Sequence, residues 1–161
     1  IDTKTETYFA LKAYLHSKRW EGVPFKISAG KGLPKACVVI EICFKDVATG
    51  AFKNNEHKTT ENFIRLDISP QQAMSITLNA KAPGLSYEVE SRTLSFTCAA
   101  GDEEITNSYE KVLLDCLNGD HTLFTTTAEV LAAWKYITSI LDNWNNTPLI
   151  AYNKGEMPNC N

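Results

Sequence analysis

Residues 64–98 read IRLDISPQQAMSITLNAKAPGLSYEVESRTLSFTC, and their alternation decides the fold. Ile64, Leu66 and Ile68 share one face, with Arg65 and Asp67 on the other. Met74, Ile76, Leu78 and Ala80 oppose Ser75, Thr77, Asn79 and Lys81. Leu85, Tyr87 and Val89 oppose Ser86, Glu88 and Glu90, and Leu94, Phe96 and Cys98 oppose Thr93, Ser95 and Thr97. A period of two residues puts alternate side chains on opposite faces, the pattern of a half-buried strand. Ser69-Pro70 and Pro83-Gly84 supply turn chemistry between the runs. Strands joined this closely pair antiparallel, because parallel pairing needs a long crossover.

Upstream, residues 36–47, ACVVIEICFKDV, add a strand: Ile40, Ile42 and Phe44 alternate with Glu41, Cys43 and Lys45. Residues 48–61 are rich in Asn, Lys and Thr without periodicity and read as an exposed loop. Downstream the period changes. Tyr109, Val112, Leu113, Cys116 and Leu117 fall on one helical face, and Asn118-Gly119 is a stop signal. A second helix starts at Thr126, with Glu129 completing a capping box. Val130, Trp134, Ile137, Leu141 and Trp144 make a wide apolar stripe, expected to cover the sheet's apolar face. Strands first and helices last predict an α+β fold: a large, mostly antiparallel sheet with C-terminal helices packed on one face. Residues 148–161 read as an irregular tail.

Nearer the start, residues 20–35 read WEGVPFKISAGKGLPK. Pro24 heads a short apolar run, where its missing N–H harms a sheet least. Gly30 and Gly32 bracket Lys31 and permit a sharp turn. Pro34 pushes Leu33 towards an extended conformation. An ammonium on a constrained turn suits an anion or a sugar phosphate. The competing reading is a hairpin turn with a solvated lysine, which the local features alone favour. Residues 5–15, TETYFALKAYL, fit a helix or a buried strand, and periodicity does not choose between them.

The bulk properties narrow the classes. The 161 residues are 43% hydrophobic and 22% charged, the length and composition of one domain with a sizeable core. A net charge of −3 offers no global field for nucleic acid or an anionic membrane. No apolar run approaches the roughly 18 residues of a membrane span. No signal peptide is visible, and a start at Ile1 suggests part of a longer chain. Cys37, Cys43, Cys98, Cys116 and Cys160 match no metal or redox spacing. Three of them fall in apolar patterns, where cysteine behaves as a small buried hydrophobe, and free thiols in a reducing cytoplasm are expected. His16, His57 and His121 are scattered, which argues against zinc.

Taken together, the blocks are familiar. TYFALKAYL (7–15), RWEGVPFKISAGKGLP (19–34), NAKAPG (79–84), YEKVLLDCLNGDHTLFTTTAEVLAAW (109–134) and PL-x-x-Y (148–152) occur in an order and spacing that resemble the C-terminal domain of glucose-6-phosphate 1-dehydrogenase. The resemblance covers nearly the whole chain. It implies that residues 1–161 are a single domain, most of the substrate-binding and dimerisation domain of that family. It also implies that residues 5–15 form a strand.

The family's reaction is the oxidation of D-glucose 6-phosphate to 6-phospho-D-glucono-1,5-lactone with NADP, at the entry to the pentose phosphate pathway. Its catalytic base, its His-Tyr-Leu-Gly-Lys signature and its glycine-rich cofactor turn lie upstream of the matched region. No catalytic or cofactor-binding residue is therefore expected in this chain, which alone should be inactive, and NADP is expected to bind mainly elsewhere. What carries over is Lys31, which matches the family lysine that contacts the sugar phosphate. That match reverses the local preference in favour of a functional Lys31. The family's second basic residue, five positions on, is Ala36 here, and Lys35 is the secondary candidate. Arg65 matches one position of a structural NADP site found in some members. Ser28 and Cys37 replace basic residues of that site and Ser95 an acid, so no structural NADP is expected. The resemblance further implies a cytoplasmic homodimer or homotetramer formed through the sheet, with the polar strand faces and their Thr, Ser and long-stemmed residues as the expected interface, glucose 6-phosphate as ligand and neither nucleic acid nor membrane as partner. The alternative is a non-catalytic, sheet-mediated dimerisation module of the same ancestry. A relative of relaxed hexose-phosphate specificity is a third reading.

Overall fold

Alternation in the sequence becomes strand pairing in the computed structural model, which describes residues 5–45, 61–85, 88–98, 108–144 and 148–158. The strands are β1 (Tyr8–Tyr14), β2 (Pro24–Gly30), β3 (Val38–Cys43), β4 (Phe63–Ser69), β5 (Ala73–Lys81) and β6 (Val89–Thr97). The helices are α1 (Ser108–Asn118) and α2 (Thr127–Leu141). This is the expected α+β arrangement, and every ladder is antiparallel. The ladders group the strands into a β1–β2 hairpin and a four-stranded sheet in the order β3–β4–β5–β6. The chain packs as two compact units, Ala36–Ile105 and Ile1–Lys35 with Thr106–Asn161.

In the four-stranded unit, Ile42, Ile64, Ile76 and Leu94 stand in one row of partners, and Ile40, Leu66, Met74 and Phe96 in the next. These rows form the apolar face that the sequence implies. The opposite face carries Arg65 beside Ser75, and Thr77 beside Thr93, whose hydroxyl oxygens lie 2.9 Å apart. Thr77, at 7% exposure, is the one buried polar residue among the described residues. Arg65 donates to Glu41 at 2.9 Å and to Asp67 at 3.0 Å.

The end of the sheet departs from the sequence reading. The runs around Leu85–Val89 and Leu94–Cys98 are not two strands. Leu85 is fully exposed, Ala82 N–H donates to Glu88 C=O at 2.8 Å to close the loop, and β6 starts at Val89. The nine residues of β6 match the nine of β5, and that continuous ladder overrides the change of phase between Val89 and Leu94. Val89 thereby falls on the polar face beside Lys81. The expected loop at 48–61 lies outside the described residues except for Glu61.

In the other unit, β1 is the strand that the resemblance implies. Trp20 packs edge-on against Phe25 (5.5 Å) in the connection to β2, and the Arg19 guanidinium lies 5.3 Å from the Trp20 ring. Helix α1 ends as expected. Gly119 takes φ +70°, its N–H bonds Cys116 C=O, and Asp120 N–H bonds Asp115 C=O, which together satisfy the last carbonyls in a Schellman motif. Helix α2 opens with the expected capping box at Thr126 and Glu129.

Burial is where the sequence reading needs correction. No hydrophobic residue among the described residues is fully buried, so the expected sizeable core is not found among them. The α2 stripe is open, with Trp134 62% exposed, and so is much of the sheet's apolar face, with Leu94 70% exposed. The four described cysteines, Cys37, Cys43, Cys98 and Cys116, are free thiols and all are exposed, so none of them is the small buried hydrophobe expected of three of the five. Among the described residues no helix is long and apolar enough to cross a membrane, and no group of three metal-ligating side chains comes together.

Candidate functional site

The hairpin β1–β2 sets the position of Lys31. Tyr8 pairs with Gly30 at its open end, and Lys31 N–H donates to Thr7 C=O at 2.8 Å, one step beyond the ladder. Gly32 then turns with φ +64°, a conformation that favours glycine. Gly30 is glycine for a different reason. A Cβ there would lie 2.6 Å from Tyr8 Cδ2, because the Tyr8 ring occupies that space.

The turn is also held from the other end of the chain. The Tyr152 hydroxyl lies 2.7 Å from Lys31 C=O, 3.2 Å from Thr7 C=O and 3.1 Å from Thr7 Oγ1. One phenolic proton serves one acceptor, and the shortest contact is to Lys31. The Thr7 hydroxyl can in turn donate to the phenolic oxygen. Gly155 N–H donates to Gly32 C=O at 2.7 Å. The Tyr152 ring meets Tyr8 edge-on at 5.9 Å. Residues 152–155, read from sequence as part of an irregular tail, strap the lysine turn.

Beside this turn is a cleft of about 330 Å³, at the small end of the range for ligand pockets. It is walled by Glu6, Tyr8, Phe9, Gly30, Lys31 and Trp144. Trp144 belongs to this wall rather than to a continuous α2 stripe, since α2 stops at Leu141. The wall thus holds a cation, a carboxylate and aromatic rings. Among the described residues Lys31 makes no ion pair, so its three N–H donors are open to an anion. An anionic, hydroxyl-bearing molecule with an apolar face suits this wall.

Of the other candidates, Lys35 does not line the cleft and falls in a bend beyond Pro34. Ala36, five positions beyond Lys31, adds no charge to the turn. Arg65 is engaged on both sides, and its hydrogen bond with Asp67, followed by that with Glu41, raises its pKa further above the usual arginine value. His16 is exposed and His121 lies edge-on to Phe124 at 6.3 Å. Sequence reasoning missed Tyr152, Thr7 and Gly155 as parts of the site. The signal for Tyr152 was present in the PL-x-x-Y block, but an irregular segment has no periodicity to indicate what it touches.

The family profile described as "Glucose-6-phosphate dehydrogenase, C-terminal domain" matches residues 1–159. The chain belongs to that family. Among its relatives, this glucose-6-phosphate dehydrogenase C-terminal domain is 32% identical to the glucose-6-phosphate 1-dehydrogenase of Borreliella burgdorferi, over 94% of this chain and 32% of the relative. It is 34% identical to that of Bacillus subtilis, over 97% of this chain and 32% of the relative. A solved structure of glucose-6-phosphate dehydrogenase in complex with its substrate glucose-6-phosphate covers 95% of the chain at TM-score 0.82 and 31% identity. The Mycobacterium avium glucose-6-phosphate 1-dehydrogenase structure covers 98% at TM-score 0.79 and 27% identity. The chain spans about a third of the length of the relatives it matches.

Proposed function

We propose that this domain works within a glucose-6-phosphate 1-dehydrogenase, oxidising D-glucose 6-phosphate to 6-phospho-D-glucono-1,5-lactone with NADP. The observation that carries the reading is Lys31, fixed at the end of the hairpin and lining a cleft, in a member of this family. Its role is to bind and orient. A fixed ammonium beside the sugar phosphate holds the sugar in place for the loss of hydride from C1, and orientation of this kind lowers the barrier without taking part in the bond changes. The base that takes the C1 hydroxyl proton is assigned to sequence outside this chain, as is most of the NADP site. Arg65, the one residue of β4 that matches a structural NADP position, is already bracketed by Asp67 and Glu41 and does not fit a free phosphate contact.

The test is Lys31→Ala in the complete polypeptide that carries this domain. A drop in kcat/KM for glucose 6-phosphate of at least about tenfold, or roughly 1.4 kcal/mol, is expected. An unchanged kcat/KM would remove Lys31 from the site. Absence of any dehydrogenase activity in the wild-type protein would favour the non-catalytic dimerisation module, a reading to which Ala36 lends some support. We further place the protein in the cytoplasm, which the free thiols of the described cysteines fit.

A further inference from the structure

We propose that Tyr152 is a positioning residue for Lys31, and that its hydroxyl sets the lysine turn in the geometry that receives an anionic substrate. The inference rests on the reading of Lys31 as the sugar-phosphate contact and goes beyond it, to a residue 121 positions away in sequence.

Lys31 stands between two glycines, so neither neighbour has a side chain to restrict the backbone. Left to itself such a segment samples many conformations, and ordering it on binding costs affinity. Three hydrogen bonds remove that freedom. One is local to the hairpin, from Lys31 N–H to Thr7 C=O. The other two come from the C-terminal strap: Tyr152 to Lys31 C=O, and Gly155 N–H to Gly32 C=O, both at 2.7 Å. The phenol therefore holds the carbonyl side of Lys31 while Thr7 holds its amide side. Tyr152 is itself located by Tyr8, whose ring fills the space above Gly30. Ring contact places the hydroxyl, and the hydroxyl fixes the turn.

If this is how the turn works, loss of the hydroxyl should leave the chemistry intact and weaken substrate capture. In the complete enzyme, Tyr152→Phe is expected to raise KM for glucose 6-phosphate roughly three- to tenfold, the worth of one hydrogen bond, with kcat within about twofold of wild type. The decisive measurement is the double-mutant cycle with Lys31→Ala. Once the lysine is gone, Tyr152→Phe should have no further effect on KM. A general loss of folding would instead lower the apparent kcat, leave KM as it is, and act equally in either background. Gly155→Ala, which forces an L side chain to φ +90° and loosens the other anchor, provides a second variant and should show the same KM effect and the same dependence on Lys31. If Lys31→Ala impairs the enzyme while Tyr152→Phe and Gly155→Ala leave KM unchanged, or act additively with it, the positioning role is overturned and the lysine assignment survives. If Lys31→Ala itself has no effect, both fall.

Discussion

Gly30 and Gly32 are indistinguishable as letters, and the reading of both as conformational hinges holds for only one of them. Gly32 needs its positive φ, whereas Gly30 is required by a tyrosine ring that packs where a side chain would stand. Which of two glycines is there for space depends on a residue 22 positions away in the register, Tyr8, and nothing in the local sequence states it. Arg65 shows the reverse situation. Its two carboxylate neighbours sit on its own strand and on β3, and both faces of the alternation were legible. Exposed ion pairs of this kind add little stability, but they occupy the guanidinium. Arg65→Ala in the complete protein is expected to leave KM for NADP, and the rise in melting temperature that NADP produces, as they are in the wild type. A smaller thermal shift in the variant would instead give Arg65 a phosphate contact.

At the scale of elements, ends were easier to read than middles. The start of α2 and the stop of α1 each depend on residues within a few positions, so Thr126, Glu129 and Gly119 carried their meaning locally. The length of β6 depends on its partner strand, which is why the sequence suggested two short strands where one continuous strand forms. The capping box makes a pH-dependent prediction. Hydrogen bonds from the Thr126 backbone N–H and then its hydroxyl lower the Glu129 pKa from the ordinary value of 4.5. A depressed carboxylate stabilises the folded form above its unfolded pKa, and the contribution fades as pH falls through the folded value. Wild type should therefore melt higher than Glu129→Gln at neutral pH, and the gap should narrow below pH 4.5. A gap that stays constant down to pH 2 would show that the carboxylate charge does not matter to the cap. The Thr126→Ala variant, which loses the side-chain acceptor for Glu129 N–H, should cost about 1 kcal/mol in chemical denaturation.

On the scale of the molecule, open apolar surface is the main feature that composition did not foretell. A hydrophobic fraction of 43% suggested a closed core, yet Ile40, Ile42, Leu94 and Phe96 remain exposed along one face of the sheet. Apolar patches of this kind mark surfaces that associate. We propose that the protein forms a homodimer or homotetramer through its sheet, with this apolar face, rather than the polar strand faces expected from the sequence, as the associating surface. Sedimentation of the complete protein at micromolar concentration should give a dimer or larger species with no detectable monomer. A clean monomer would count against sheet-mediated assembly.

The strap at Tyr152 also bears on how the protein is made. The β1–β2 hairpin involves near neighbours in the chain and can close while synthesis is still under way. Its lysine turn, however, waits for residues 152–155, which leave the ribosome after every strand and both helices described above. A chain halted just before Tyr152 would carry Lys31 and its hairpin but not the bonds that fix the turn. Assembly of the site is thereby tied to the emergence of a segment 121 residues downstream of the lysine.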